Sequence, residues 1–202
     1  MELDKSLYKD VYVFEEQREG KIQNVAFELL GKARDPANSL NEKVYAILLG
    51  NNIKDKANEL IAYGADGVVC VDSPELEEYT TEPYAQAIKH IIDVKKPSII
   101  LLGATYIGRD LGPRVSARVG TGLTADCTAL DISEIKDLML TRPASGGNVL
   151  ATIFCSDNRP QMSTVRPGVM EKATLDENRS GKVEKINFKL EEEDINKYYA
   201  YE

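Results

Sequence analysis

Residues 99–126 read IILLGATYIGRDLGPRVSARVGTGLTAD, and the order of residue types in this stretch decides the fold. Ile99, Ile100, Leu101 and Leu102 form an unbroken apolar run that stops at Gly103. A run without alternation is the pattern of an interior parallel strand covered on both faces. Its carboxyl end falls at Gly103 to Thr105. Beyond it, Leu111, Val115 and Val119 recur at every fourth residue and share one helix face, while Arg114 and Arg118 share another. Strand, crest and helix in that order make half of a parallel α/β unit, and ligands of such sheets gather beyond the carboxyl ends of the strands. Each arginine is equally compatible with an ordinary solvated helix face.

The alternation continues toward the amino terminus. Strands are expected at 11–14, 44–49 and 68–71, and helices at 25–33, 54–63 and 84–94. Gly64 follows the second helix as a stop signal, and Ala87, Ile88, Ile91 and Ile92 mark the inward face of the third. After Gly122 the texture changes to short strands at 125–132, 136–142, 149–154 and 161–165. Their spacing leaves no room for crossover helices, so they are expected to pair antiparallel at one side of the sheet. Residues 1–170 then form an α/β domain, and 171–202 an edge strand at 183–190 followed by an acidic linker.

Lysine and arginine total 25 against 33 acids, a net charge of -8 over 202 residues, which is the wrong sign for a nucleic-acid binder held by phosphate contacts. Seven acids and no base lie between Lys56 and Lys89, a pattern read as a solvated face. Cys70, Cys127 and Cys155 are far apart, lack a CxxC pair and sit in or beside apolar runs, so they read as reduced core residues rather than metal ligands. The start MELDKSLYKD has no apolar core of a leader, and no segment reaches the ~18 apolar residues of a membrane span. These features predict a cytoplasmic protein without membrane insertion.

Chemistry within the chain is thinly provided. The first strand runs into Glu15, Glu16 and Gln17 without a glycine-rich phosphate loop or Walker lysine, and two carboxylates there are expected to repel a phosphate. His90, the single histidine, lies among isoleucines and reads as structural, so no catalytic residue is expected. The run LTRPASGGNVLAT at 140–152 is more informative. Pro143 fixes Arg142 as extended, and Gly146 and Gly147 turn the chain back. A guanidinium at such a strand end can serve a phosphate or an electron-rich ring, or it can decorate a hairpin surface.

GRDLGPRVSARVGTGLTADCTAL (108–130), TRPASGGNVLATI (141–153) and STVRPGVM (163–170) together resemble the amino-terminal domain of the electron-transfer flavoprotein alpha subunit. The resemblance spans about 8–190. It implies a three-layer α/β/α unit, like adenine-nucleotide alpha-hydrolases in fold, that usually carries no nucleotide itself. It implies a heterodimer with a beta subunit, which passes electrons between flavin dehydrogenases and other carriers. FAD would be held by the beta subunit and by a carboxyl-terminal domain whose glycine-arginine-glycine signature is absent from these 202 residues. In electron-bifurcating members, Arg142 would lie beside the beta-subunit FAD, with Ser145, Gly146 and Asn148 shaping the loop. Arg109, Arg114 and Arg118 would serve the subunit interface or pair with acids such as Asp110 and Asp126, and Tyr198, Tyr199 and Tyr201 would anchor the further domain or fray. Two other classes stay open: a nucleotide-binding protein of the related fold, and a scaffold of a redox complex that touches no flavin.

Overall fold

The computed structural model describes residues 3–144, 146 and 149–191. In chain order the strands are β1 (Val11–Phe14), β2 (Gln17–Arg18), β3 (Lys21–Ile22), β4 (Val44–Gly50), β5 (Gly67–Asp72) and β6 (Ile99–Gly103). They continue with β7 (Leu123–Cys127), β8 (Ala129–Ile132), β9 (Leu138–Ala144), β10 (Val149–Phe154), β11 (Gln161–Val165) and β12 (Lys182–Lys185). Helices α1 (Asn24–Leu40), α2 (Ala57–Ala62), α3 (Thr81–Lys95) and α4 (Tyr106–Val119) connect them.

Seven strands form one sheet in the order β12-β5-β4-β1-β6-β11-β7, and every pairing in it is parallel. Alternate residues of each central strand point to opposite faces. Val11 and Val13 of β1 therefore meet α1, α2 and the apolar side of β8 and β9, whereas Tyr12 and Phe14 meet α3 and α4. Three layers result, as the resemblance implies. Leu111 and Val115 of α4 are fully buried, and burial of each contributes about 1.5–3 kcal/mol to holding the helix on the sheet.

One topological expectation is corrected. The strand at Gln161–Val165 is not an antiparallel addition but an interior parallel strand, with β6 on one side and β7 on the other. Its polar residues suggest an edge, yet all five are buried. Their partners explain this: Leu138 N–H donates to Gln161 Oε1 (3.2 Å) and Asp126 N–H to Thr164 Oγ1 (2.9 Å). A parallel neighbour needs a crossover of a dozen residues or more. Here the antiparallel sheet β10-β9-β8 supplies it in place of a helix. The span expected as one strand at 125–132 is accordingly split, with β7 in the main sheet and β8 in the small one.

Other boundaries shift for local reasons. Helix α1 runs through Pro36, because Pro36 and Ala37 continue the buried face of Leu30 and Ala33, and it ends at Asn41 in the left-handed conformation. Helix α3 starts at Thr81, with Pro83 in a first turn whose N–H groups have no helical acceptor anyway. The expected edge strand is present but short, and it joins the main sheet beside β5. The hairpin β2-β3 has no counterpart in the sequence reading. Among the described residues, no helix is long and apolar enough to cross a membrane.

Candidate functional site

The connection after β1 runs to one side of the sheet and the connection after β6 to the other, so a crevice opens between their carboxyl ends. A cavity of about 380 Å³ lies there, lined by Arg18, Ala104, Thr105, Tyr106 and Arg109. The stretch that decides the fold builds most of it. Thr105 caps α4 by accepting a hydrogen bond from Gly108 N–H (3.0 Å), and Arg109 Nε donates back to the Ala104 carbonyl (3.0 Å). The turn is tight because Gly108 has no side chain. A Cβ there would stand 1.8 Å from the Gly103 carbonyl oxygen. Tyr106 projects into solvent, 91% exposed.

The two carboxylates after β1 sit in different surroundings. Glu15 is completely buried, and burial pushes its carboxyl well above the ordinary range, which favours the neutral acid. Glu16 is buried too, but Arg18 Nη2 donates to it (2.8 Å) and Thr105 Oγ1 bonds its other oxygen across the crevice. Gln17 turns away, with Nε2 3.3 Å from the Leu49 carbonyl and 3.3 Å from Tyr84 Oη. The crevice floor is therefore tied to β1 by hydrogen bonds, with Arg18 and Arg109 at its rim.

Beside the crevice, β7 carries a bulge. Ser163 faces Thr124 and Val165 faces Cys127, so Ala125 and Asp126 together oppose Thr164. Asp126 takes a positive φ of 61°, which re-aims its side chain as bulges do. Its carboxylate receives two bonds from Arg166, Nε at 3.1 Å and Nη2 at 2.6 Å, and lies 3.6 Å from Arg109 Nη2. The Arg166 hydrogen bonds, opposed by slight burial and supported by the charges of Arg166, Arg109 and Arg142, hold the Asp126 carboxyl below its usual range.

Arg142 belongs to this cluster by strand register. It alternates with Leu138 and Leu140 on β9, whose side chains are fully buried, so it shares their body-facing side. Thr128 N–H donates to the Thr141 carbonyl (2.8 Å) and draws this part of β9 to the end of β7. Gly146 is exposed with φ 76°, as a glycine turn requires. Ser145 and Asn148, expected to shape the same loop, lie outside the described residues, as do Tyr198, Tyr199 and Tyr201.

Arg114 and Arg118, expected at the subunit interface or paired with acids, are paired with an acid, though not with Asp110 or Asp126. They do not reach the crevice; their guanidiniums hold Glu82 of α3 at 3.0 Å and 2.5 Å. Glu82 is only 4% exposed, so it departs from the solvated acidic face assigned to its stretch, which Glu59, Glu75, Glu77 and Glu78 do form. Asp110 accepts bonds from Tyr79 and Thr81 rather than pairing with an arginine of its own helix. His90 lies 6.2 Å from the ring of Phe188 in a groove away from the crevice. All three cysteines are free, Cys70 and Cys127 in the core and Cys155 only half-buried. Among the described residues, no group of three or more histidine, cysteine or acidic side chains could hold a metal ion.

Arg166 is the member that sequence reading missed. A signal was present: Arg166-Pro167 repeats the Arg142-Pro143 pair, and in both a proline fixes an arginine at the end of a strand.

Comparison with known proteins agrees with this architecture. A family model described as electron transfer flavoprotein domain matches residues 11–191. An electron transfer flavoprotein subunit alpha of Thermoanaerobacterium thermosaccharolyticum is 55% identical over 188 residues, which cover 93% of this chain and 57% of that protein. The subunit alpha of Clostridium acetobutylicum is 51% identical over 196 residues, 96% of this chain and 58% of that one. The lactate dehydrogenase (NAD(+),ferredoxin) subunit LctC of Acetobacterium woodii is 51% identical over 164 residues, 81% and 39% of the two chains. The chain thus spans between about two fifths and three fifths of these relatives' lengths. Since the matched span runs from β1 past β12 and takes in the whole arginine cluster, the chain belongs to the electron transfer flavoprotein family, corresponding to the amino-terminal domain of its alpha subunits.

Proposed function

We propose that this domain supports a flavin held by a beta subunit, and that Arg142 faces that flavin. The observation that carries the reading is the meeting of Arg109 and Arg166 at the carboxylate of Asp126 at the carboxyl edge of the sheet, with Arg142 on β9 close enough for its charge to lower that carboxyl as well. Three permanent positive charges against one negative leave an excess of two in a chain whose net charge is -8. Such a donor set suits an electron-rich, anionic group, so the residues present fit a flavin at their margin. FAD, when bound, supplies one- and two-electron redox chemistry. This chain would orient it and favour its reduced, anionic form through a guanidinium fixed on a rigid strand.

Ser145, Gly146 and Asn148 would set the loop that closes beside Arg142. In this reading the working unit is a heterodimer that carries electrons between a flavin dehydrogenase, of the acyl-CoA or a similar type, and a second carrier. The names of two relatives support this. LctC is named for NAD(+) and ferredoxin together, and a 47% identical chain of Anaerotignum propionicum is named as an electron transfer subunit of acryloyl-CoA reductase. Two carriers named together, as in the first, suit electron bifurcation, and we extend that mode to this chain. The charged crevice at the switch point is also where nucleotide-binding relatives of the fold place phosphates. There, however, Glu16 occupies the cradle, bonded to the cap residue Thr105.

Co-production with a beta subunit tests the reading. A stable one-to-one complex that purifies yellow is the expected result. A colourless complex would support a scaffold, and a melting temperature that rises with ATP for the chain alone would support a nucleotide-binding protein.

A further inference from the structure

Among the described residues, Asp126 is the one acid ion-paired with Arg109 and Arg166, and the backbone, not only the side chain, sets its place. The bulge puts it in the left-handed region, Thr164 Oγ1 holds its N–H, and the Arg166 N–H donates to the carbonyl of the next residue, Cys127 (2.9 Å). Both carboxylate oxygens are engaged by Arg166, and Arg109 approaches Oδ1. Among the described residues, no carboxylate lies within ion-pair distance of Arg142.

We infer that Asp126 is a positioning residue that divides the cluster: it holds Arg166 in a bidentate fork and draws in Arg109 by a looser ion pair, and it leaves Arg142 as the member that no described carboxylate pairs. This rests on the reading of Arg142 as the flavin-facing side chain. The physical logic is that of like charges brought together. Three guanidiniums at one end of the sheet repel one another, and a carboxylate among them both offsets that repulsion and fixes the plane of Arg166 through bidentate geometry. A bulge is the device by which a sheet can aim one side chain out of the regular alternation toward such a site. Asp126 also sets the size of the positive field. With it the four groups sum to an excess of two charges, and without it to three.

The test uses the FAD-loaded complex with the beta subunit and compares Asp126→Asn, Asp126→Gly and Arg142→Ala by spectroelectrochemical titration. Asparagine and glycine both tolerate positive φ, so neither strains the bulge. Removing a carboxylate and removing a guanidinium should act in opposite directions. At a fixed solution potential, the ratio of reduced to oxidised flavin is expected to rise on the order of tenfold in both Asp126 variants, the scale of one unit charge nearby, and to fall in Arg142→Ala. A purely structural role would not produce this reversal of sign. If Arg142→Ala shifts the ratio while both Asp126 variants leave it unchanged or lower it, the positioning role is overturned and the flavin-facing reading stands. If Arg142→Ala leaves the ratio unchanged, both fall together.

Discussion

Gly108→Ala is expected to cost about 3 kcal/mol of stability or more, enough to lower the melting temperature by roughly 6–12 °C in a chain of this size. The cause is a single contact. The added Cβ would lie 1.8 Å from the Gly103 carbonyl oxygen and 3.0 Å from its carbon, and both are backbone atoms. No rotamer change can relieve that, so the first turn of α4 would have to leave the end of β6. The displacement would also break the Thr105 cap and carry Arg109 away from Asp126. Gly112→Ala is the fitting comparison, because its Cβ would meet only side chains, Thr164 Cγ2 at 3.2 Å and Leu123 Cδ2 at 3.4 Å. It should cost about 1 kcal/mol or less. Thermal melts followed by circular dichroism separate the two, and a Gly108→Ala protein that melts with the wild type would contradict the described turn.

Glu82→Ala should be the next most damaging change, at about 2–3 kcal/mol. Its carboxylate is nearly sealed between α3 and α4, where it answers two guanidiniums that are 20% and 34% exposed. Truncation leaves both cations facing each other without their common partner. Their partial exposure lets water soften the loss, which keeps the figure below that of a fully buried pair. The pH dependence has a definite sign. Burial raises the Glu82 carboxyl, but hydrogen bonds from Arg118, Gln86 and Arg114 and the charge of Arg118 outweigh it, so the folded value lies below the usual one. The contribution is then fully present above the unfolded glutamate range near pH 4.3 and is lost as pH falls through the folded value. The stability gap between wild type and Glu82→Gln, measured by urea titration, should therefore narrow on acidification below about pH 4. A gap that widened there would contradict the assigned pairing.

How much of this was legible in the sequence follows from what each signal measures. Continuous apolar runs report strands buried on both faces, so β1, β4, β5 and β6 were visible together with the helices between them. The strand QMSTV is equally buried, but it satisfies its polar atoms through Gln161, Thr164 and their distant partners, which periodicity does not record. Its place in the sheet was misread for that reason. The arginine cluster was half legible. Arg142 stood out through its proline and glycine neighbours, whereas Arg166 and Asp126 meet only because a bulge reverses one backbone dihedral 40 residues before the arginine. The pairing of Arg114 and Arg118 with Glu82, across 32 and 36 residues, depends on two helices packing side by side, which no local pattern states.

We propose that this domain works by lending a fixed positive charge to a flavin bound elsewhere. The most direct measurement is the reduction potential of the flavin in the heterodimer, with wild-type chain and with Arg142→Ala. The account predicts a more negative potential for the first reduction step in the variant, on the order of 60 mV, equivalent to tenfold in a one-electron equilibrium. Identical potentials in the two complexes would contradict it.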